Sequence, residues 1–594
     1  VTGVGGQTLT KQEGRDHLVY LTASFQGLDQ VKEVRFSEFN EMVHSFSLSE
    51  RNLDARHFEN RQQVMGPMVT GVGNGHTFLV AYEHGSQVPD AFLEYRLAPD
   101  RTLTLAAVKG NYHSGLTLSP QQPFATVWLE VAALHGREED LAREYRNFIL
   151  NDMTQNLESR RPYIFYNTWN FQERNYHWNH RKYLDDMTQE RMLEEIEVAR
   201  RMGIDVFVID TGWYEKTGDW LVSLKRFPDG LRKVKERLES YGMKLGLWFN
   251  PTAAAISSEM LKNHRDCIKT MNGKADDPSE IWETEASYSM CLVSRYRSAF
   301  AEKLIALNKE LGLTYFKWDA IGQYGCNDPH HWHGTERNSP TEREECFAFE
   351  VGRSMSWIAD RLGEACRDAI VDFDITEGYR AVGLGFLASG KYFLINNGPY
   401  FFNYNLPLDL KKDNWNLFFY PGPARDWICR TPLVYDKWFP TVVFLTHYFP
   451  DDPYENQSLS LGSLILGQNG IWGDLPKISK EGITFFGKVL SLYKQVRDDI
   501  TAATILRDGA VGGSPEVYEK INPQTGKGAV VVFSSHAGNY SYITKHIVSS
   551  ECWKSRGTKV SFEGGRAIIR AEFPGAEGKI IFFGANSGSE FGLD

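Results

Sequence analysis

The period of the hydrophobic positions changes twice along this chain. Up to about residue 135, apolar and polar residues alternate in short runs such as 91–96 and 124–131, broken by Gly-, Asn- and Pro-containing turns. That pattern predicts an N-terminal β-sandwich over 1–135. A helical stretch from Glu138 to Leu150 fills a linker at 136–160. From Arg161 onward, short apolar strands alternate with amphipathic helices. Strands are predicted at 163–169, 205–210, 244–250, 313–319, 369–376 and 392–396, with 417–420 the seventh and 463–466 the eighth. The first helix starts at Asp186 and Gln189, read as a capping box, carries Leu193, Ile196, Ala199 and Met202 on one face, and stops at Gly203. Further helices are predicted at 231–241, 294–311, 341–362 and 480–496, the first two ended by Gly242 and Gly312. Repeated βα units imply a parallel sheet, and about eight of them fit a closed (β/α)8 TIM barrel over 161–500. No GxGxxG turn follows the first strand, which speaks against a doubly wound open sheet. Alternation of period two returns at 529–533 and 579–583, predicting a small all-β C-terminal sandwich over 501–594.

Composition narrows the function classes. A chain of 594 residues is too long for one core and implies several domains. The net charge of -11, with no basic block to offset it, excludes nucleic acid as the expected partner. No apolar run approaches the roughly 18 residues of a membrane span, so no membrane partner is expected. Seven cysteines without a CxxC pair do not form a disulfide framework; a reducing compartment or simple burial accounts for them. The first residue is Val1 rather than Met, so a leader removed from a secreted or periplasmic protein is as compatible as a cytoplasmic one. Fifteen tryptophans supply flat apolar faces of the kind that suit the C–H faces of sugar rings.

Candidate chemistry collects at the predicted strand ends: Trp169 and Asn170, Asp210 and Trp213, Asn250, Lys317 and Asp319, Glu377, Asn396, and Arg425 with Asp426. In a barrel of this kind the C-terminal strand ends carry the active site. A lysine two positions before Asp319 favours the ionised carboxylate there. There is no phosphate-cradling glycine loop and no cofactor motif, so a neutral polyhydroxyl ligand fits best. Glycoside cleavage needs two carboxyl groups, one ionised and one protonated, and Asp319 is the natural nucleophile. Cys326, Asp328, His330, His331 and His333 crowd the loop after that strand. Their spacing matches no standard zinc pattern, so the loop is read as a wall on the aglycone side and no metal is expected.

Four motifs then point to one family. Tyr315-Phe316-Lys317-Trp318-Asp319 resembles the nucleophile motif of glycoside hydrolase family 36, in the clan of α-galactosidases and α-N-acetylgalactosaminidases. Asp210-Thr211-Gly212-Trp213-Tyr214 with Gly218-Asp219-Trp220, Gly246-Leu247-Trp248-Phe249-Asn250-Pro251, and Asn167-Thr168-Trp169 are similar to three further motifs of that family, in the same order. The resemblance implies Asp319 as nucleophile, Lys317 and Asp210 as binders of sugar hydroxyls, and Trp169, Trp213 and Trp220 as pocket walls, with Asn250 and Arg380 among the substrate contacts. It also exposes departures. Thr211 replaces a second aspartate, Asn250-Pro251-Thr252 replaces Glu-Pro-Glu, and Ala320-Ile321-Gly322-Gln323 replaces an Asn-Arg element. The position matching the family's acid/base aspartate is Asn396, and an amide cannot serve as a general acid. Asp374, Glu377 and Asp426 are the candidate replacements, while Asp372 reads better as part of a structural network inside the barrel. The expectation is a retaining exo-α-glycosidase that hydrolyses a terminal α-linked galactose or related hexose through a glycosyl-Asp319 intermediate. An α-N-acetylgalactosaminidase, a raffinose-synthase-like transglycosylase and a non-catalytic sugar-binding barrel are the alternatives. The partner in each case is an oligosaccharide or glycoside, and self-association into a homo-oligomer is left open.

Overall fold

The computed structural model describes residues 110–121, 123–319, 325–373, 382–391, 394–395, 430, 433, 436–440, 442–448 and 454–586. Before residue 110 it describes 3–4, 10–11, 18–19, 21–25, 28–40, 45–53, 62–64, 66–83, 85–86, 93–97 and 103–107.

The N-terminal strands form two five-stranded antiparallel sheets. One of them buries Val34, Met68, Leu79 and Ala81 against Leu141, Tyr145 and Ile149 of the helix Glu138–Asn151, which ties this part to the rest of the chain. The helix carries Glu138, Glu139 and Asp140 in its first turn, where negative charge suits the helix dipole.

Eight parallel strands follow: β1 (Phe165–Asn167), β2 (Val206–Ile209), β3 (Lys244–Phe249), β4 (Tyr315–Trp318), β5 (Ile370–Phe373), β6 (Leu394–Ile395), β7 (Val442–Tyr448) and β8 (Gln468–Gly473). They pair in the order β5-β4-β3-β2-β1-β8-β7-β6, the strand order of a TIM barrel. Asp372 of β5 pairs in parallel with Lys391, just before β6, which brings the two ends of the sheet together. Two sequence expectations need correction here. The seventh strand is Val442–Tyr448, and residues 417–420 lie outside the described ones. The eighth is Gln468–Gly473, whereas 463–466 form the end of the helix Tyr454–Leu464 and the turn after it. A short apolar run reads equally as strand or buried helix end, and here helix wins.

Period-two alternation divides strands β1 to β5 between two cores. Tyr166, Phe207, Ile209, Leu245, Leu247 and Phe316 face outward into the large core shared with the helices. Phe165, Val206, Val208, Tyr315 and Ile370 face inward and form a separate plug, with Phe165 stacked on Tyr315 at 5.6 Å. Gly246 is the matching inward position on β3, and a Cβ there would stand 2.8 Å from Val208 Cγ2, so the plug requires glycine. Asp372 accepts the Tyr315 hydroxyl at 2.5 Å and belongs to this interior.

Helix boundaries follow local chemistry. The helix Gln189–Met202 is capped by Thr188, whose hydroxyl accepts Arg191 N, rather than by Asp186, which pairs with Arg181 instead. The helix Tyr296–Leu311 ends at Gly312 in the left-handed conformation, φ 65°, and this stop sets the chain up for β4. After the helix Lys480–Ala502 come a five-stranded and a three-stranded antiparallel sheet. They enclose a core of Val517, Val530, Val532, Ile569, Ile581 and Phe583.

Candidate active site

The plug is the floor of the site. One step further along β1 to β4, the inward positions turn to hydrogen-bonding side chains: Asn167 on β1, Asp210 after β2, Trp248 on β3, Lys317 and Asp319 on and after β4. Lys317 Nζ lies 2.9 Å from Asp319 Oδ2 and 3.2 Å from Asp210 Oδ2, so one ammonium bridges two carboxylates. Asn167 donates to the same Asp210 oxygen at 2.8 Å, and Thr211 N donates to Asp210 Oδ1 at 2.7 Å. The Asp210 backbone N donates in turn to Thr168 Oγ1 at 2.9 Å. Trp248 Nε1 donates to Asp319 Oδ2 at 3.0 Å, while Asp319 N is held by Phe249 O at 2.9 Å. Burial raises the Asp210 carboxyl above the usual carboxylate range; Lys317 offsets that in part, and the charge of Asp319 adds to it. Asp319 keeps 7% exposure, against 1% for Asp210 and for Lys317. It is therefore the member of the trio that meets the mouth.

The chain that carries this buried carboxylate pair around a lysine has known relatives in sequence and in fold. The Melibiase family model matches residues 125–353. An α-galactosidase of Lactobacillus acidophilus is 28% identical over 142 residues, 23% of this chain and 19% of that protein. An Escherichia coli α-galactosidase is 23% identical over 212 residues, 34% of this chain and 27% of its own length. Both alignments thus span less than a third of those relatives. Among solved structures, a family 36 α-galactosidase AgaA variant from Geobacillus stearothermophilus, in complex with raffinose, superposes with TM-score 0.66. That match covers 96% of this chain and 77% of that one at 13% identity. An α-galactosidase from Lactobacillus brevis gives 0.66 over 95% and 75%, also at 13% identity. The chain thus carries a Melibiase-like segment and shares the fold of solved family 36 α-galactosidases.

Within this α-galactosidase-like frame, the predicted tryptophans divide. Trp169 stands beside the trio: its backbone N donates to Asn167 Oδ1 at 2.8 Å, and its ring stacks on Tyr183 at 5.3 Å. Tyr183 stacks on Tyr176 at 4.3 Å, and Trp282 meets both Trp169 at 5.0 Å and Trp248 at 5.6 Å. An unbroken aromatic wall therefore runs from half-exposed Tyr176 to the indole that donates to Asp319. Trp282 and Glu283 hold positive φ, 41° and 63°, which is strained for side chains of this size. The Glu283 carboxylate secures that turn by accepting the backbone N of Tyr183 at 3.0 Å and of Leu184 at 3.2 Å.

Trp213 and Trp220, expected as pocket walls, are fully buried instead. Trp213 Nε1 donates to Trp248 O at 2.9 Å, and both indoles pack on Phe249 in the outer core. They hold β3 from behind, because the turn after β2 carries them past the rim to the outward side. Asn250 turns its Oδ1 to Thr252 N and Oγ1, at 3.0 and 2.8 Å, and borders a cleft of about 400 Å³ with Thr252, Trp282, Ser287 and Tyr288. Two contributors were not singled out from sequence. Trp248 sits inside a quoted motif, and its even spacing from Asn250 was the available signal. Trp282 comes from a loop with no periodicity to mark it. Asp374, Glu377, Arg380, Asn396 and Asp426, together with 320–323, lie outside the described residues.

Proposed function

We propose that this protein is a retaining exo-α-glycosidase acting on terminal α-linked galactose or a closely related hexose, with Asp319 as nucleophile. The observation that carries the reading is the position of Asp319: the least buried end of a three-member charge chain at a barrel strand's C-terminal end, with Lys317 and Trp248 both donating to Oδ2. Asp319 would attack the anomeric carbon and form a glycosyl ester as the leaving oxygen departs. Water would then release the sugar with its configuration retained. Lys317 and Asp210 would hold sugar hydroxyls at the depth of the plug, and Trp169 with Trp282 would receive the sugar's apolar face. Two carboxylates against one ammonium leave the trio net negative, which favours the positive charge that builds on the sugar in the transition state. The likeness to α-galactosidases, one of them solved with raffinose, supports galactose as the first sugar to try.

The general acid is proposed among Asp374, Glu377 and Asp426, with Asn396 at the position that resembles the family's acid. Comparing substrates with good and poor leaving groups separates these cases. If Asn396 has no replacement, activated aryl glycosides react far faster than alkyl glycosides, and Asn396→Asp narrows the gap. The primary test is the anomer first released from an aryl α-galactoside, followed by proton NMR. The α-anomer is expected; initial release of the β-anomer would rule out retention.

A further inference from the structure

The histidine-rich loop after β4 forms a cluster that the glycosidase reading does not use. Four side chains meet there: Cys291, Cys326, His331 and His333, all buried, with one ligand atom of each within 4.8 Å of all the others. We propose that these four residues hold a structural zinc ion that fastens the loops on either side of β4.

The donor set is the first argument. Two thiolates and two imidazoles with no carboxylate match a closed tetrahedral zinc site, and no ligand position is left for water or substrate. Distances are the second. Ligands ~2.0–2.3 Å from a tetrahedral centre stand roughly 3.3–3.8 Å from one another. Cys326 Sγ and His331 Nδ1 are already 3.3 Å apart, and closing the remaining gaps takes shifts of about an ångström or less, well within side-chain freedom.

Orientation of the imidazoles is the third. His331 Nε2 lies 2.9 Å from Asp266 O, a backbone carbonyl. It donates there, which fixes the tautomer and leaves the Nδ1 lone pair aimed at the sulfurs, as outer partners of metal-bound histidines do. His333 is fully buried, yet neither of its ring nitrogens has a hydrogen-bond partner among the described residues. An imidazole with both nitrogens left this way is costly unless one of them binds a cation. Full burial of Cys291 and Cys326 also argues against a reactive thiol, which needs access.

The sequence expectation of no metal is therefore revised, and so is the ligand set. Asp328 is turned aside, its Oδ2 accepting Thr270 Oγ1 at 2.8 Å and its Oδ1 accepting His330 N at 2.9 Å. His330 is exposed beside Glu336. The missing fourth ligand is Cys291, which lies before the helix Tyr296–Leu311 and which no linear motif could reveal.

The position gives the ion a task. Cys291 follows the strand Ser287–Ser289, whose Ser287, Tyr288 and Ser289 line the 400 Å³ cleft; Met290 N is bonded to Thr252 O at 2.7 Å. Cys326 lies in the described stretch that resumes at residue 325, after Asp319 in the sequence. A zinc ion would thus lock the cleft wall to the segment that follows the nucleophile.

The inference stands on residues outside the charge trio, so metal content tests it whatever the substrate proves to be. The full chain, produced in zinc-supplemented medium and purified without chelator, is expected to carry one zinc per chain by elemental mass spectrometry. Cys326→Ser and His333→Ala should each lose it. Cobalt exchanged into the unmodified protein should show the intense visible bands of a tetrahedral site and a thiolate-to-cobalt charge-transfer band, a readout that needs no variant to fold. Zinc far below one per chain together with no cobalt spectrum would overturn the proposal. So would a Cys291–Cys326 disulfide found by peptide mass mapping in freshly purified protein.

Discussion

Among the described residues, Lys317 and Lys520 are fully buried and form ion pairs with aspartates, and the difference between them sets the proposed site apart from an architectural cluster. At the barrel mouth Lys317 serves two carboxylates, Asp319 and Asp210. Where the helix Glu138–Asn151 meets the C-terminal sheet the ratio is inverted, and Asp436 serves two cations. Lys520 Nζ approaches it at 2.7 Å from the C-terminal sheet, and Arg146 Nη1 at 3.3 Å from the linker helix. Arg146 also donates to the carbonyls of Asp436, Phe439 and Thr501, and Lys520 to that of Leu466. Burial, partly offset by Asp436, brings the Lys520 ammonium down to about 8. The junction knot has both terminal nitrogens of Arg146 and the Lys520 ammonium donating to carbonyls, and it joins three parts of the chain. The site trio holds an excess of negative charge with one end open to the mouth. Burial alone is common to both; the sign of the excess charge and the exposed end are what set the proposed site apart.

Substitutions should pull the two clusters apart. The largest effect is expected from Asp319→Asn, which should lower turnover by roughly 10³-fold or more while leaving the melting temperature close to that of the parent. Residual activity of more than a few percent would remove Asp319 from its role. At the junction, Asp436→Ala leaves two buried cations without their carboxylate and should cost about 3–5 kcal/mol of stability. Denaturant unfolding measures that loss, and the kcat of the folded fraction should be unchanged. Asp210→Asn should cost roughly 1.5–3 kcal/mol of transition-state binding, read in kcat/KM, with little loss of stability. A value within twofold of wild type would show that Asp210 does not meet the sugar.

The same residue should leave a mark on the pH profile. A carboxyl raised by burial binds its proton more tightly than an ordinary aspartate, so it is neutralised first as pH falls and stops accepting a hydroxyl. The acid limb of kcat/KM should lie above the usual aspartate range, and Asp210→Asn should shift it downward. The smallest effect is expected from Trp248→Phe. It removes one of the two donors to Asp319 Oδ2 and should lower kcat/KM by about fivefold, the worth of a single hydrogen bond.

Much of this was legible in the chain before its structure. The strand-end residues Asp210, Lys317 and Asp319 declare themselves because a polar residue closing an apolar strand has few other places to go in a barrel. Trp213 and Trp220 did not, because a motif gives a residue's type but not the side of the turn on which it emerges. β8 was misplaced for a different reason. Gln468–Gly473 contains two glycines, Gln and Asn, and lacks the branched run that signals a buried strand, whereas the apolar end of the preceding helix supplies one. The cysteine–histidine cluster shows the limit most clearly. Three of its members share one loop, but the fourth is brought in by tertiary packing across a helix and a strand, and spacing rules are blind to that.

The central claim is that Asp319 carries the sugar during turnover. Incubation with an activated fluorinated galactosyl substrate, which forms the glycosyl–enzyme quickly and releases it slowly, followed by peptide mass spectrometry, tests it directly. The account predicts a single hexosyl adduct on the peptide containing Asp319, lost in Asp319→Asn. An adduct on another carboxylate, or steady hydrolysis with no adduct at all, would contradict it.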